Sequence, residues 1–304
     1  MRHLLSTEHM TATELTWILN MADEMAEVLE RPIPKVPTLR GKTVGLLFFE
    51  NSTRTRLSFE RAAKALSADT MTFGSQGSSM TKGESLRDTA LTLEALGADL
   101  MVVRHHAVGA AHRISEWVDV PVINAGDGTN QHPTQALLDV LTLRKRFGKL
   151  DGLTVAIVGD IRHSRVARSN VFAMTALGAD VTLVAPPTLL PPTLDEWPVR
   201  VAHHIDDVIE STDVLYLLRI QAERGGDQVV PSLPEYVSRF GLTDERYARM
   251  SGDSVVLHPG PMNRGVEIAH GVAEADRSLV LSQVRNGVAV RMAVMMTLAG
   301  ADRD

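Results

Sequence analysis

Residues 48–60 read FFENSTRTRLSFE. Two arginines, Arg54 and Arg56, and four hydroxyls, on Ser52, Thr53, Thr55 and Ser58, follow an apolar run at the point where a helix should begin. A helix N-terminus presents unpaired N–H groups and partial positive charge, so phosphate binds there readily. Hydroxyls of Ser52, Thr53 and Thr55 add donors, and the planar Arg54 guanidinium can grip two phosphate oxygens at once. The same residues could also make a plain Ser/Thr cap with solvent-facing arginines. Two cations at a helix start oppose its dipole, however, and a bound anion removes that conflict.

Other segments carry polar groups in the same position, just after an apolar run. GSQGSSMTKGESLRD (74–88) is a Gly/Ser-rich loop with Lys82 in its middle; alone it would be a surface loop, and Glu84 and Asp88 suit the start of the next helix. Arg104 ends another run and is placed where a second anion ligand should be. Two histidines follow it, but neighbours on an extended chain point to opposite faces, so neither His105-His106 nor His203-His204 is expected to hold a metal. GDGTNQHPTQALLD (126–139) delivers His132, Pro133 and Gln135 at a further helix start, with the proline suited to the first turn.

In the second half, GDIRHSR (159–165) follows an apolar run but lacks the later glycines of a dinucleotide fingerprint, and carries Arg165 instead. Arg219-Ile220-Gln221 is again positive, and His258-Pro259-Gly260-Pro261 makes a stiff loop whose backbone can face a ligand.

The elements that must position these residues are legible as period and punctuation. Thr11 and Glu14 form a capping box ahead of Leu15, Ile18, Leu19 and Ala22, giving a helix over 12–29. Strand-like runs at 43–49, 69–73, 99–103 and 120–126 alternate with helical stretches near 53–66, 84–97 and 109–117, and an amphipathic segment covers 132–148. The pattern restarts with strands at 153–160, 180–186, 213–219 and 253–260, a helix at 164–178, and a last helix near 286–299 whose methionines are core packing. Strands alternating with helices imply parallel sheets covered on both faces. The expectation is therefore α/β, with two doubly wound domains and the active site in the cleft between them. The first covers 1–145, with the C-terminal helix 286–304 packed back on it, and the second 146–285. Ligands in such folds lie outside the carboxyl ends of the strands, where the polar segments fall.

The 304 residues are 44% hydrophobic and 22% charged, ordinary for a globular chain. With no cysteine, disulfides and thiol catalysis are excluded. A net charge of -6 argues against nucleic-acid binding, so any anion site is a local concentration of positive charge. No apolar run is long enough for a membrane span, and MRHLLSTEHM lacks a secretory apolar region, so the cytoplasm is the expected location.

Taken together, STRTR, RH, HPTQ, LLRIQ and HPGP, in that order over nearly the whole chain, resemble the aspartate/ornithine carbamoyltransferases. The resemblance implies transfer of a carbamoyl group from carbamoyl phosphate to an amino acid, with no metal or organic cofactor. It implies that Ser52, Thr53, Arg54 and Thr55 hold the phosphate and that Arg104 bridges phosphate and carbonyl oxygen. His132 and Thr55 would polarise that carbonyl. Gln135 and the backbone at Pro259, Gly260 and Pro261 would hold the carbamoyl NH₂. Some family members have leucine at the position of Gly260, where only backbone can make the contact here.

Arg165, Arg219 and Gln221 would bind the carboxylates of L-aspartate, together with Lys82, which in the family reaches a neighbouring subunit's site with a loop serine, here Ser78 or Ser79. The family works as a trimer with shared sites, and its members differ in whether regulatory chains or dihydroorotase join it. Aspartate is expected over ornithine because Arg165, Arg219 and Lys82 attract a dicarboxylate and repel a cationic side chain, and because the cysteine motif of the ornithine branch is missing. The implied product is N-carbamoyl-L-aspartate for de novo pyrimidine synthesis. The alternatives are transfer to ornithine or another amino acid, and a non-catalytic phosphate-metabolite sensor on the same fold.

Overall fold

The computed structural model of the chain describes residues 1–74, 85–220 and 232–300. The chain divides into two compact units, the first formed by Met1–Leu141 with Arg285–Asp304 and the second by Thr142–Val284.

The first unit opens with helix α1 (Ala12–Leu29), started by the capping box: the Thr11 hydroxyl accepts from the Glu14 N–H at 3.2 Å and the Glu14 carboxylate from the Thr11 N–H at 2.9 Å. Strands β1 (Thr43–Phe48), β2 (Asp69–Gly74), β3 (Leu100–His105) and β4 (Val122–Asp127) then alternate with helices α2 (Thr53–Ala65), α3 (Leu86–Ala95) and α4 (Ala110–Trp117). All strand pairs are parallel, in the order β2-β1-β3-β4. Leu47, Met101, Val103 and Val122 pack one sheet face against Ala90 and Leu93 of α3 and Ala111 and Ile114 of α4. The alternate residues Leu46, Leu100, Val102 and Ile123 are equally buried, so both faces are covered. Each such side chain contributes about 1.5–3 kcal/mol of burial free energy.

Helix α5 (Pro133–Phe147) leads from the first unit to the second. There, β5 (Thr154–Val158), α6 (Arg165–Ala176), β6 (Asp180–Val184), β7 (Arg200–Ala202), β8 (Val214–Leu217), α7 (Leu233–Phe240), α8 (Asp244–Arg249) and β9 (Val255–Leu257) follow in turn. The sheet is again parallel, in the order β7-β6-β5-β8-β9. Helix α9 (Val280–Ala299) returns the chain to the first unit; it begins before residue 286, the start expected from sequence. The strands of this half are shorter than their apolar runs, because residues such as Gly159, Asp160 and Arg219 already belong to the turns that follow.

Both strand orders have a switch point. From β1 the chain moves out to β2, then returns to place β3 on the other side; β5 likewise has β6 on one side and β8 on the other. Open α/β sheets bind ligands at such points, outside the carboxyl ends of the two central strands.

Candidate active site

At the first switch point, Phe48 is in register with Arg104, and the Phe49 N–H donates to the Arg104 carbonyl at 2.9 Å. These bonds set the start of α2 beside the end of β3. Ser52 is the N-cap of α2, yet its side chain makes no capping bond, and the first turn holds no acid. Thr11, Ser85, Ser164, Ser232 and Thr243 all cap their helices through the hydroxyl. Thr53 and Arg54 are exposed, whereas Ser52 and Thr55 are half-buried. This end of α2 is thus positive and its hydroxyls are available to an anion.

Arg104 is held from two directions. One guanidinium nitrogen donates to the Ala125 carbonyl at 3.0 Å and the other lies 3.5 Å from a Glu50 carboxylate oxygen. The adjoining His105 and His106 rings stack, with centroids 4.2 Å apart. That corrects the expectation of opposite faces: β3 ends at His105 and the chain bends at His106, so strand alternation no longer applies. His105 Nδ1 accepts the Ala107 N–H at 2.8 Å. Burial holds its imidazole below the ordinary value, and His106 adds to this.

The turn carrying His132 is organised by Asp127, itself 2% exposed. One carboxylate oxygen accepts from the Asn124 side chain at 2.8 Å and the Gln131 N–H at 3.0 Å. The other accepts from the Gly109 N–H at 2.7 Å and the Asn130 side chain at 3.1 Å. Gly128, at φ +48°, has no room for a side chain: a Cβ there would lie 2.7 Å from Val108. His132 is buried, and Gln135, in the first turn of α5, donates to Asp139 at 3.0 Å.

The second switch point brings together the ends of β5 and β8, where the Leu218 N–H donates to the Val158 carbonyl at 2.8 Å. Arg165 opens α6 and is 5% exposed; the preceding Ser164 hydroxyl accepts the Ala167 N–H at 3.1 Å. Arg219 follows β8 and is half-buried. Asp160 tightens the intervening turn, accepting from the His163 N–H at 3.2 Å and facing its ring Nδ1 at 2.9 Å.

In the HPGP loop, His258 Nδ1 accepts the Gly260 N–H at 2.8 Å, so Nε2 carries the proton and donates to Glu267 at 3.1 Å. Glu267 also accepts the Asn263 N–H at 2.6 Å, and the Gln283 side chain accepts the His258 N–H at 3.0 Å. The Gly260-Pro261 peptide is cis. Lys82, Ser78, Ser79 and Gln221 lie outside the described residues. Among the described residues, no three His, Asp or Glu side chains are grouped to hold a metal ion, and no helix is long and apolar enough to cross a membrane.

The first unit thus gathers Ser52, Thr53, Arg54, Thr55 and Arg104 at one switch point, with His132 and Gln135 at the end of the adjoining β4. The second gathers Arg165 and Arg219 at its own. Glu50, Asp127, Asp139 and Glu267 were not singled out by sequence reasoning. Asp127 had a faint signal, an acid between two glycines at the end of an apolar strand; the others required the fold.

Two family descriptions match the chain: "Aspartate/ornithine carbamoyltransferase, carbamoyl-P binding domain" over residues 2–145, and the "Asp/Orn binding domain" of the same family over residues 151–298. The aspartate carbamoyltransferase catalytic subunit of Thermobifida fusca is 58% identical over 99% of this chain and 96% of its own length. That of Parafrankia sp. is 56% identical over 100% of this chain and 99% of its own. Among solved structures, Trypanosoma cruzi aspartate transcarbamoylase in complex with carbamoyl aspartate and phosphate superposes with TM-score 0.89 at 29% identity, over 98% of this chain and 95% of that one. The catalytic subunit of M. jannaschii aspartate transcarbamoylase gives 0.83 at 37% identity, with 98% of each chain covered.

Proposed function

Because the chain belongs to the aspartate/ornithine carbamoyltransferase family, we propose that it transfers the carbamoyl group of carbamoyl phosphate to the α-amine of L-aspartate, giving N-carbamoyl-L-aspartate and phosphate for de novo pyrimidine synthesis. The observation that carries this reading is the first switch point, where α2 begins with cations, an uncommitted Ser52 hydroxyl and no acid, beside Arg104.

In this reading the first unit is the carbamoyl-phosphate domain. Ser52, Thr53, Arg54 and Thr55 surround the phosphate at the α2 N-terminus. Arg104 reaches both phosphate and carbonyl oxygen, and His132 with Thr55 completes the donor set on that oxygen. As the amine nitrogen bonds to the carbamoyl carbon, the carbonyl oxygen gains negative charge; each donor aimed there is typically worth about 2.7–4 kcal/mol. The carbon–oxygen bond to phosphate then breaks, and the departing phosphate takes the amine proton. Gln135 and the backbone of Gly260 and Pro261 hold the carbamoyl NH₂.

The second unit is the aspartate domain. Arg165 and Arg219, side by side in the strand order, suit two carboxylates, with Gln221 and Lys82 completing the set. The working assembly is a homotrimer in the cytoplasm, in which Lys82 and Ser78 or Ser79 serve the adjacent subunit's site. Regulatory chains or dihydroorotase are candidate further partners.

The test is phosphate release by purified protein with carbamoyl phosphate plus aspartate, and separately plus ornithine. Release with aspartate alone, matched by carbamoyl-aspartate formation, is the expected result. Release with ornithine alone would reassign the acceptor, and release with neither by a folded trimer would leave a binding protein.

A further inference from the structure

Behind Gln135 lies a buried polar chain that the reaction scheme above does not use. The Gln135 Nε2 donates to Asp139 Oδ1 at 3.0 Å, one helical turn along the same face of α5. Asp139 is fully buried, and a buried carboxylate needs a partner of opposite charge. Arg291 of α9, only 4% exposed, is near enough for the two charges to act on each other. Burial pushes its guanidinium down to about 10, against the upward pull of the neighbouring Asp139. Arg291 also donates to the Ser58 hydroxyl of α2 at 2.8 Å and the Gly287 carbonyl at 3.0 Å, and its guanidinium carbon lies 4.9 Å from the Phe59 ring centre. No space is left beside it: a Cβ on Gly287 would come 2.6 Å from an Arg291 nitrogen.

A glutamine amide is nearly symmetric in shape but not in chemistry, since one end donates and the other accepts. A carboxylate only accepts, so it binds the NH₂ end and turns the oxygen the other way. We propose that buried Asp139 is a positioning residue that makes Gln135 present its carbonyl oxygen to the carbamoyl NH₂. Asp139 thereby selects a carbamoyl over an acyl donor of the same shape. This rests on the carbamoyl-phosphate reading of the site.

Acetyl phosphate is the discriminating probe, because it replaces the NH₂ with a methyl group and keeps the rest. Preference is measured as the KM for carbamoyl phosphate against the Ki of acetyl phosphate competing with it. Asp139→Asn can donate to the Gln135 oxygen, which reverses the amide and turns its NH₂ toward the substrate's NH₂. Losing one polar pair and opposing two donors should lower the preference for carbamoyl phosphate about tenfold or more, with little change for acetyl phosphate. In a Gln135→Ala background the same change should leave the preference unaltered, because the residue it acts through is gone. A loosened core would instead weaken both ligands alike and add to Gln135→Ala.

Should Asp139→Asn fail to fold because the buried Arg291 charge is left without a nearby carboxylate, the neutral combination Asp139→Asn/Arg291→Gln allows the same ratio to be read. Wild-type preference in a folded variant would overturn the positioning role while leaving the proposed reaction intact. A wild-type protein that neither turns over carbamoyl phosphate nor binds acetyl phosphate would overturn the reading of the site itself.

Discussion

Arg104 and Glu50 face each other across the ends of β3 and β1, a guanidinium nitrogen 3.5 Å from a carboxylate oxygen. With the second nitrogen bonded to the Ala125 carbonyl at 3.0 Å, the planar side chain is fixed by both arms of its fork. Lysine keeps the charge but cannot span the two partners. Arg104→Lys should therefore fold normally and lose roughly 10²–10³-fold in kcat, the usual effect of displacing one donor from a developing oxyanion. Steady-state turnover beside circular dichroism checks it; near-native kcat would mean that charge alone, without the fork, suffices.

The α2 N-terminus makes a second test that needs no turnover. A ligand that binds only the folded state stabilises it by RT ln(1 + [L]/Kd), about 2.7 kcal/mol at a hundredfold excess over Kd. Inorganic phosphate should raise the thermal midpoint in a concentration-dependent way, and Arg54→Ala should remove most of the rise. An equal rise in Arg54→Ala would place the anion elsewhere.

Arg219 distinguishes the two substrates. It follows β8 in the second unit, whereas the phosphate ligands belong to the first. Loss of a charge-assisted hydrogen bond costs about 1.5–3 kcal/mol, or roughly ten- to a hundredfold in affinity. Arg219→Ala should raise the aspartate KM by that factor and change the carbamoyl-phosphate KM much less. A variant in which both constants rise together would argue for a general disturbance of the site.

Legibility in the sequence followed the range of the interactions involved. The alternation of apolar strands and amphipathic helices is local, so the two parallel sheets could be read from it, and so could the Thr11–Glu14 box. The positive residues after the strands were equally visible. What holds them was not: Glu50 reaches Arg104 across 54 positions of chain, and Arg291 reaches Ser58 across 233. No periodicity encodes such pairs. The short strand β7 and helices α7 and α8 were also missed, being too brief to show a period. The stacked His105 and His106 rings were misread because an extended geometry was carried one residue past the end of β3.

His105 gives the pH dependence a sign. Burial, aided by His106, lowers its folded value, while Glu50, Asp127 and the Ala107 contact oppose the shift. The unfolded chain, titrating near the ordinary value of about 6.5, then binds the proton more tightly than the fold does. This group's contribution to stability is intact above that value and declines as the pH falls toward the lower folded one. The urea midpoint should be lower at pH 5 than at pH 7, and His105→Gln should narrow the gap. An unchanged gap would assign the acid sensitivity to other groups.

Tyr236 of α7 tests how a buried polar atom is tolerated near the second switch point. The ring is 2% exposed and stacks on Phe240, with centroids 5.3 Å apart. Its hydroxyl has no hydrogen-bond partner among the described residues. Burial, with the negative charges of Glu267 and Asp160 nearby, pushes the phenol upward, so it stays neutral. Glu267 Oε1 is bonded to His258 and Asn263 and Asp160 Oδ1 to His163, while Glu267 Oε2 and Asp160 Oδ2 have no hydrogen-bond partner among the described residues. The hydroxyl is solvated in the unfolded chain and unpaired in the fold, a penalty of about 1–3 kcal/mol that phenylalanine does not carry. Tyr236→Phe should therefore leave the thermal midpoint unchanged or raise it by a few degrees, at about 2–4 °C per kcal/mol for a chain of this order of size. A fall of similar size would show that the hydroxyl has a bonding partner in solution, with the unpaired oxygen of Glu267 or Asp160 the nearest candidate.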